Sequence, residues 1–447
     1  VLSLRDRAAA LATDIAERLA DPQALPTPQT PWHRVTLSEG MPGVALLHLE
    51  RGGEDALRTA QRWLSASVAA AKEVPTDPAA HAPGLYRGIP ALSFTVCRTA
   101  AATGSTGGPG RAAAHLGAQV QVFAQALAAW EARRDPRRGE CTTVGTYDVI
   151  SGLAGLGAQL LDGLQYGVAG SREALTEVLG ALVGVTRPLN LGGRELPGWW
   201  TAQSTYDYAP ATPETGHANA GLAHGVPGPL ALLALAWQHG VTVPGQQQAI
   251  HVFAEWLLEI GQEGEHGPWW PRTLYLAEDG TLAPSLGVAG RESWCYGSIG
   301  IARALELAGQ ALDVPLWRDT ALRAWRGALA RERRAYEGRA QAGSEPMGLA
   351  DAGLCHGWSG LLQATWRMAD DCADPQLRAE LPWLAERVLE LAAPDEPFGL
   401  LPPAPFGGLL SDPAGFLTGA AGAALALHTF ATDAAPVTRW DRALLLA

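Results

Sequence analysis

Apolar positions along the chain fall into two kinds of run. In the first, a short glycine turn, usually G-x-x-G, opens a stretch that is apolar almost all round. It occurs seven times: EGMPGVALLHL at 39–49, RGIPALSFTV at 87–96, SGLAGLGAQLL at 151–161, HGVPGPLALLALA at 224–236, YGSIGIARALELA at 296–308, HGWSGLLQATWRMA at 356–369 and TGAAGAALALHTF at 418–430. The leading glycines stand at 40, 88, 152, 225, 297, 357 and 419, and Ala91 replaces the second glycine of the second copy. In the second kind, one apolar stripe faces a charged one, as in WRDTALRAWRGALARERR at 317–334 and LRAELPWLAERVLELA at 377–392. The opening stretch, VLSLRDRAAALATDIAERLAD, mixes apolar and charged positions in the same helical way.

Runs apolar on every side predict helices buried all round, and one-striped runs predict an outer layer. Seven of each, alternating, predict two concentric rings: an all-α, α/α toroid of seven inner and seven outer helices, with the inner ones opened by the glycine turns. A missing Cβ lets the backbone turn sharply and approach its neighbours. Such a ring needs all its repeats to close, so residues 1–447 are expected to form a single domain. Extended patterns are scarce. The turns would gather at one end of the barrel, where free backbone N–H groups favour anions and thiolates.

Three side chains on that rim carry chemistry. Cys295 in SWCYGSIG and Cys355–His356 in LCHGWSG each stand just ahead of a turn glycine. Two thiolates and an imidazole make a three-ligand zinc set with an open fourth position, the form of a catalytic site. Taken singly, they read equally as incidental core residues. His224 occupies the matching place in GLAHGVPG and is a candidate acid or base, since imidazole titrates near neutral pH. Asp148, in YDVISGLAG, would orient it, although it also reads as an ordinary helix cap. Arg291, four residues before Cys295, is a candidate for stabilising an oxyanion, and Tyr296 for donating a hydrogen bond. The pairs Trp199–Trp200 and Trp269–Trp270 read as covers over the core. Cys97, Cys141 and Cys372 carry no motif and read as structural.

Composition narrows the picture. Net charge is −12, from 33 basic and 45 acidic residues, which argues against a general nucleic-acid binder. No apolar stretch is long enough to span a bilayer, and the N-terminus does not read as a signal peptide. Five sparse cysteines favour a reducing compartment, hence a cytoplasmic protein.

YDVISGLAG, NAGLAHGVPG, RESWCYGSIG and GLCHGWSG, in that order and over essentially the whole chain, resemble the LanC-like family of lanthionine cyclases. The resemblance implies an α/α toroid and one zinc per chain held by Cys295, Cys355 and His356. It also implies site residues at Asp148, His224, Arg291 and Tyr296. Glu292 departs from the aspartate that the family commonly carries. The chain begins almost directly with the repeats, so it resembles a stand-alone cyclase. Its implied partners are a dehydrated precursor peptide of leader and core, a separate dehydratase and an exporter. The implied reaction adds peptide cysteine thiolates to dehydroalanine or dehydrobutyrine, forming lanthionine thioether rings.

Three other readings stay open. The same zinc chemistry could add a small thiol such as glutathione to dehydroamino acids. A toroid could instead host a carbohydrate-active enzyme, with Asp207 and Glu214 near Trp199–Trp200 as its carboxylates. A peptide-binding scaffold with structural zinc would need a fourth protein ligand.

Overall fold

The computed structural model describes residues 2–25, 31–73, 84–104, 107–205, 209–284, 290–342, 348–403 and 413–447. Among them are fifteen α-helices. Seven follow the glycine turns: Met41–Arg51, Gly88–Thr103, Leu153–Gln165, Pro227–Gln238, Ser298–Leu312, Trp358–Asp371 and Ala420–Thr432. They are buried as their sequences predict: every residue from Pro227 to Ala236 and from Trp358 to Ala369 is inside. Seven more have one buried stripe or an exposed face: Leu4–Arg18, Glu54–Ala71, Gly108–Ala132, Ser171–Val185, Gln246–Ile260, Pro315–Ala342 and Pro375–Leu389. Glu54–Ala71, for example, buries Ala60, Trp63, Leu64, Ser67 and Ala70, which lie along one side of a helix. The fifteenth, Val144–Tyr147, is a single turn.

The chain packs as two compact units, residues 1–117 with 349–447, and residues 118–348. In the first, the buried helices Trp358–Asp371, Ala420–Thr432, Met41–Arg51 and Gly88–Thr103 pack side by side in that order. The opening helix Leu4–Arg18, started by a Ser3–Asp6 capping box, packs on Ala420–Thr432, and so supplies the outer partner of the last buried helix. In the second unit Leu153–Gln165, Pro227–Gln238 and Ser298–Leu312 pack in succession. Their outer partners are Ser171–Val185, Gln246–Ile260 and Pro315–Ala342.

The glycines are required by close approach. Gly357 is the N-cap of Trp358–Asp371, and a Cβ there would strike Asp351 and the backbone of Gly353. A Cβ on Gly360 would strike the carbonyl of Leu354, six residues earlier, just as one on Gly300 would meet the carbonyl of Trp294. The second copy departs from this: its helix begins at Gly88 itself, with φ +65° after an Arg87 N-cap, and Ala91 is accommodated.

The second unit also holds three small antiparallel sheets that the helical pattern did not predict. Leu189–Leu191 pairs with Arg194–Leu196 across Gly192–Gly193, both at positive φ, the two-residue turn that glycine pairs favour. Gln262–Gly264 pairs with Gly267–Trp269. His217–Asn219 pairs with Thr273–Leu276, which pairs with Leu282–Pro284. Trp199 and Trp200 are buried, and Trp199 packs against Phe253 and Trp256, so this pair covers the core as expected.

Candidate functional site

A lateral run of backbone hydrogen bonds aligns the turns. In the second unit the N–H of Val149 donates to the carbonyl of Ala223, and that of Ala223 to the carbonyl of Cys295. In the first unit Cys355 donates to Leu417, and Leu417 to Ser38. Ser38, Ala223, Cys295, Cys355 and Leu417 all stand two residues before their turn glycines. The equivalence of the two cysteines is therefore one of backbone pairing as well as of spacing. The residues one step later, His224, Tyr296 and His356, share a second equivalent position.

Asp148 and His224 form a direct pair. His224 Nδ1 lies 2.7 Å from Asp148 Oδ2, and a carboxylate only accepts, so Nδ1 carries the proton. The other carboxylate oxygen accepts the N–H of Ser151 at 2.8 Å, so Asp148 both caps the turn and holds the histidine. Asp148 is almost fully buried, whereas the His224 side chain is 22% exposed. The Tyr296 ring lies 6.1 Å from that of His224, and its hydroxyl accepts a hydrogen bond from Asn219 Nδ2 at 3.0 Å. Neighbouring Tyr147 is fully buried. Burial, followed by the charges of Asp148 and Tyr296, raises its pKa well above the usual phenol range, so it stays neutral.

Cys295 Sγ lies 3.6 Å from the Ser293 hydroxyl, which also donates to the carbonyl of Tyr296. Glu292, the departure noted above, is buried. It accepts from the N–H of Ser298 at 2.7 Å, capping the helix that follows Cys295, and it pairs with Arg331 at 2.7 Å. Its own N–H donates to Glu332. Arg291 is half-buried, and its carbonyl accepts from Ser293 within the same turn.

In the first unit, His356 Nε2 lies 3.8 Å from Asp351 Oδ2, while Asp351 Oδ1 accepts from the N–H of Gly353. Tyr86 is buried, and burial and then Cys355 raise its pKa well above the usual phenol range. None of the five cysteines forms a disulfide. Cys355 and His356 are adjacent on one turn of the first unit, and Cys295 holds the matching place on a turn of the second. Two soft sulfurs and one imidazole suit zinc better than the hard cations that prefer oxygen.

Asn219, Ser293 and Asp351 were not singled out from sequence, although Asn219 lies inside the quoted motif NAGLAHGVPG. Their local signal is a polar residue at a turn, which is common at helix starts. Asp207 lies outside the described residues. Glu214 is exposed on the short helix Pro213–Thr215. Among the described residues no helix is long and apolar enough to cross a membrane.

None of the curated proteins searched matches the sequence. Among solved structures the chain is similar to one titled "Nisin cyclase", with a TM-score of 0.68 and 21% identity over 93% of each chain. That likeness carries the fold class, an α/α toroid. The profile of the lanthionine synthetase C-like proteins matches residues 31–445, and this chain belongs to that family.

Proposed function

We propose that this protein is a zinc-dependent lanthipeptide cyclase acting on a dehydrated precursor peptide. Zinc would be held by Cys295, Cys355 and His356, and the observation that carries the reading is that both cysteines hold the same backbone-paired place two residues before a turn glycine, with His356 following directly. When bound, it would supply a Lewis acid that lowers the pKa of a peptide cysteine thiol and holds the sulfur as a nucleophile.

The remaining work falls to the chain's own residues. Asp148 fixes the His224 ring with Nδ1 protonated, so Nε2 can take the thiol proton. The peptide sulfur adds to the β-carbon of a dehydroalanine or dehydrobutyrine. A C–S bond forms, and the alkene π pair moves toward the carbonyl as an enolate. His224 returns a proton from Nε2 to the α-carbon, closing the thioether ring with no net change in protons. Tyr296, whose hydroxyl accepts from Asn219, would contact the substrate. Arg291 would stabilise the enolate oxygen.

Two variants test this on dehydrated peptide, read by mass spectrometry with thiol alkylation. Cys355→Ala is expected to lose both its zinc, about one per chain in the unaltered protein, and ring formation. Full metal content and normal rings in that variant would refute the ligand set. His224→Ala is expected to keep zinc and to lose about 10²-fold or more in ring closure. Normal turnover would remove its role.

A further inference from the structure

Tyr296 has a neighbour that neither the repeat pattern nor the family resemblance points to. Arg272 immediately precedes strand Thr273–Leu276, whose register on His217–Asn219 sets Asn219 opposite Thr273. Its carbonyl accepts the N–H of Ala220 at 3.0 Å, so its backbone is tied beside Gly221. Gly221 lacks a side chain where the Tyr296 ring lies; a Cβ there would strike ring atoms Cδ1 and Cε1. The guanidinium carbon of Arg272 stands 4.5 Å from the centroid of the same ring. The small sheet thus contributes three things around one tyrosine: a bare backbone for the ring, an amide for the hydroxyl and a cation over the π system.

The Arg272 side chain is exposed, and no carboxylate among the described residues pairs with it. Stacking on a ring fixes a guanidinium and leaves its edge N–H donors free, and Arg is less strongly hydrated than Lys. A cation held this way loses little entropy when an acceptor arrives.

We propose that Arg272 is a substrate-binding residue: stacked on Tyr296, it donates to a carbonyl or carboxylate oxygen of the peptide segment carrying the reacting cysteine. This rests on the cyclase reading above. The probe is a synthetic, fluorescently labelled peptide with one dehydroalanine and one cysteine, used with the full chain. Loss of one charged hydrogen bond predicts that Arg272→Gln raises KM about tenfold while kcat stays within about twofold. Arg272→Lys, which keeps the charge and loses the flat stack, should fall in between, at about threefold. The Kd from fluorescence anisotropy should move by the same factors, with zinc content and Tm unchanged.

The binding readout needs no turnover. Peptide binding by the unaltered protein without ring formation would sink the cyclase reading and leave this one standing. Unchanged KM and Kd in a folded Arg272→Gln, a fall in kcat alone, or no peptide binding by the unaltered protein would overturn the Arg272 assignment. Should the Gln variant melt early, the Lys variant carries the test.

Discussion

The turns around Cys295 and Cys355 are built on one plan and secured in two ways. Both place cysteine two residues before an N-cap glycine, and both set the second glycine against the carbonyl six residues earlier. Around Cys295 the loop is clamped by charge. Buried Glu292 caps Ser298 and pairs with Arg331, while Glu332 accepts the N–H of Glu292; both partners come from the outer helix Pro315–Ala342. Around Cys355 the clamp is mostly backbone. Cys355 donates to Leu417, Gly357 to Gly353 and Trp358 to Asp351. The repeat therefore dictates where a residue stands on the rim. How firmly the loop is held depends on which neighbours happen to reach it.

That contrast can be broken by substitution, with unfolding in urea as the measurement. The largest effect is expected from Glu292→Ala, which strips Arg331, only 17% exposed, of its carboxylate and is expected to cost about 3–5 kcal/mol. Replacing both residues by apolar ones of similar size should recover most of that loss. Gly360→Ala should come next, at about 1–3 kcal/mol and toward the upper end, because the opposing atom is backbone and cannot swing away. Asp351→Ala removes one hydrogen bond to Gly353 from a turn otherwise held by its backbone, and should cost about 1 kcal/mol. Equal losses for Glu292→Ala and Asp351→Ala would erase the distinction between the two clamps. Smallest of all should be Glu292→Asp, at about 1 kcal/mol or less, since charge is kept and only reach is lost.

Much of the architecture was legible before any coordinates. Seven glycine turns followed by all-round apolar runs corresponded to seven buried helices, and the opening amphipathic stretch became an outer helix. The three small sheets were missed. Each strand is only three or four residues long, so alternation never accumulates enough to stand out from loop sequence. The LGGR hairpin was missed with the others, although its paired glycines are a turn signal. Asp148 and His224 were singled out from their turns, and they lie 2.7 Å apart. Asn219 and Arg272 were not singled out, because their meeting with Tyr296 depends on the register of a strand pair that local spacing does not encode.

What the sequence determined by itself was periodic: which faces are apolar, where Cβ is missing, and which residue types stand at matching steps of a repeat. These are properties of neighbours along the chain, where helical geometry converts spacing directly into a face. Only the tertiary structure decided which carboxylate reaches which cation and which ring covers which guanidinium. Those contacts join residues tens of positions apart and turn on differences of about an ångström, to which an apolar pattern repeating every three or four residues is blind.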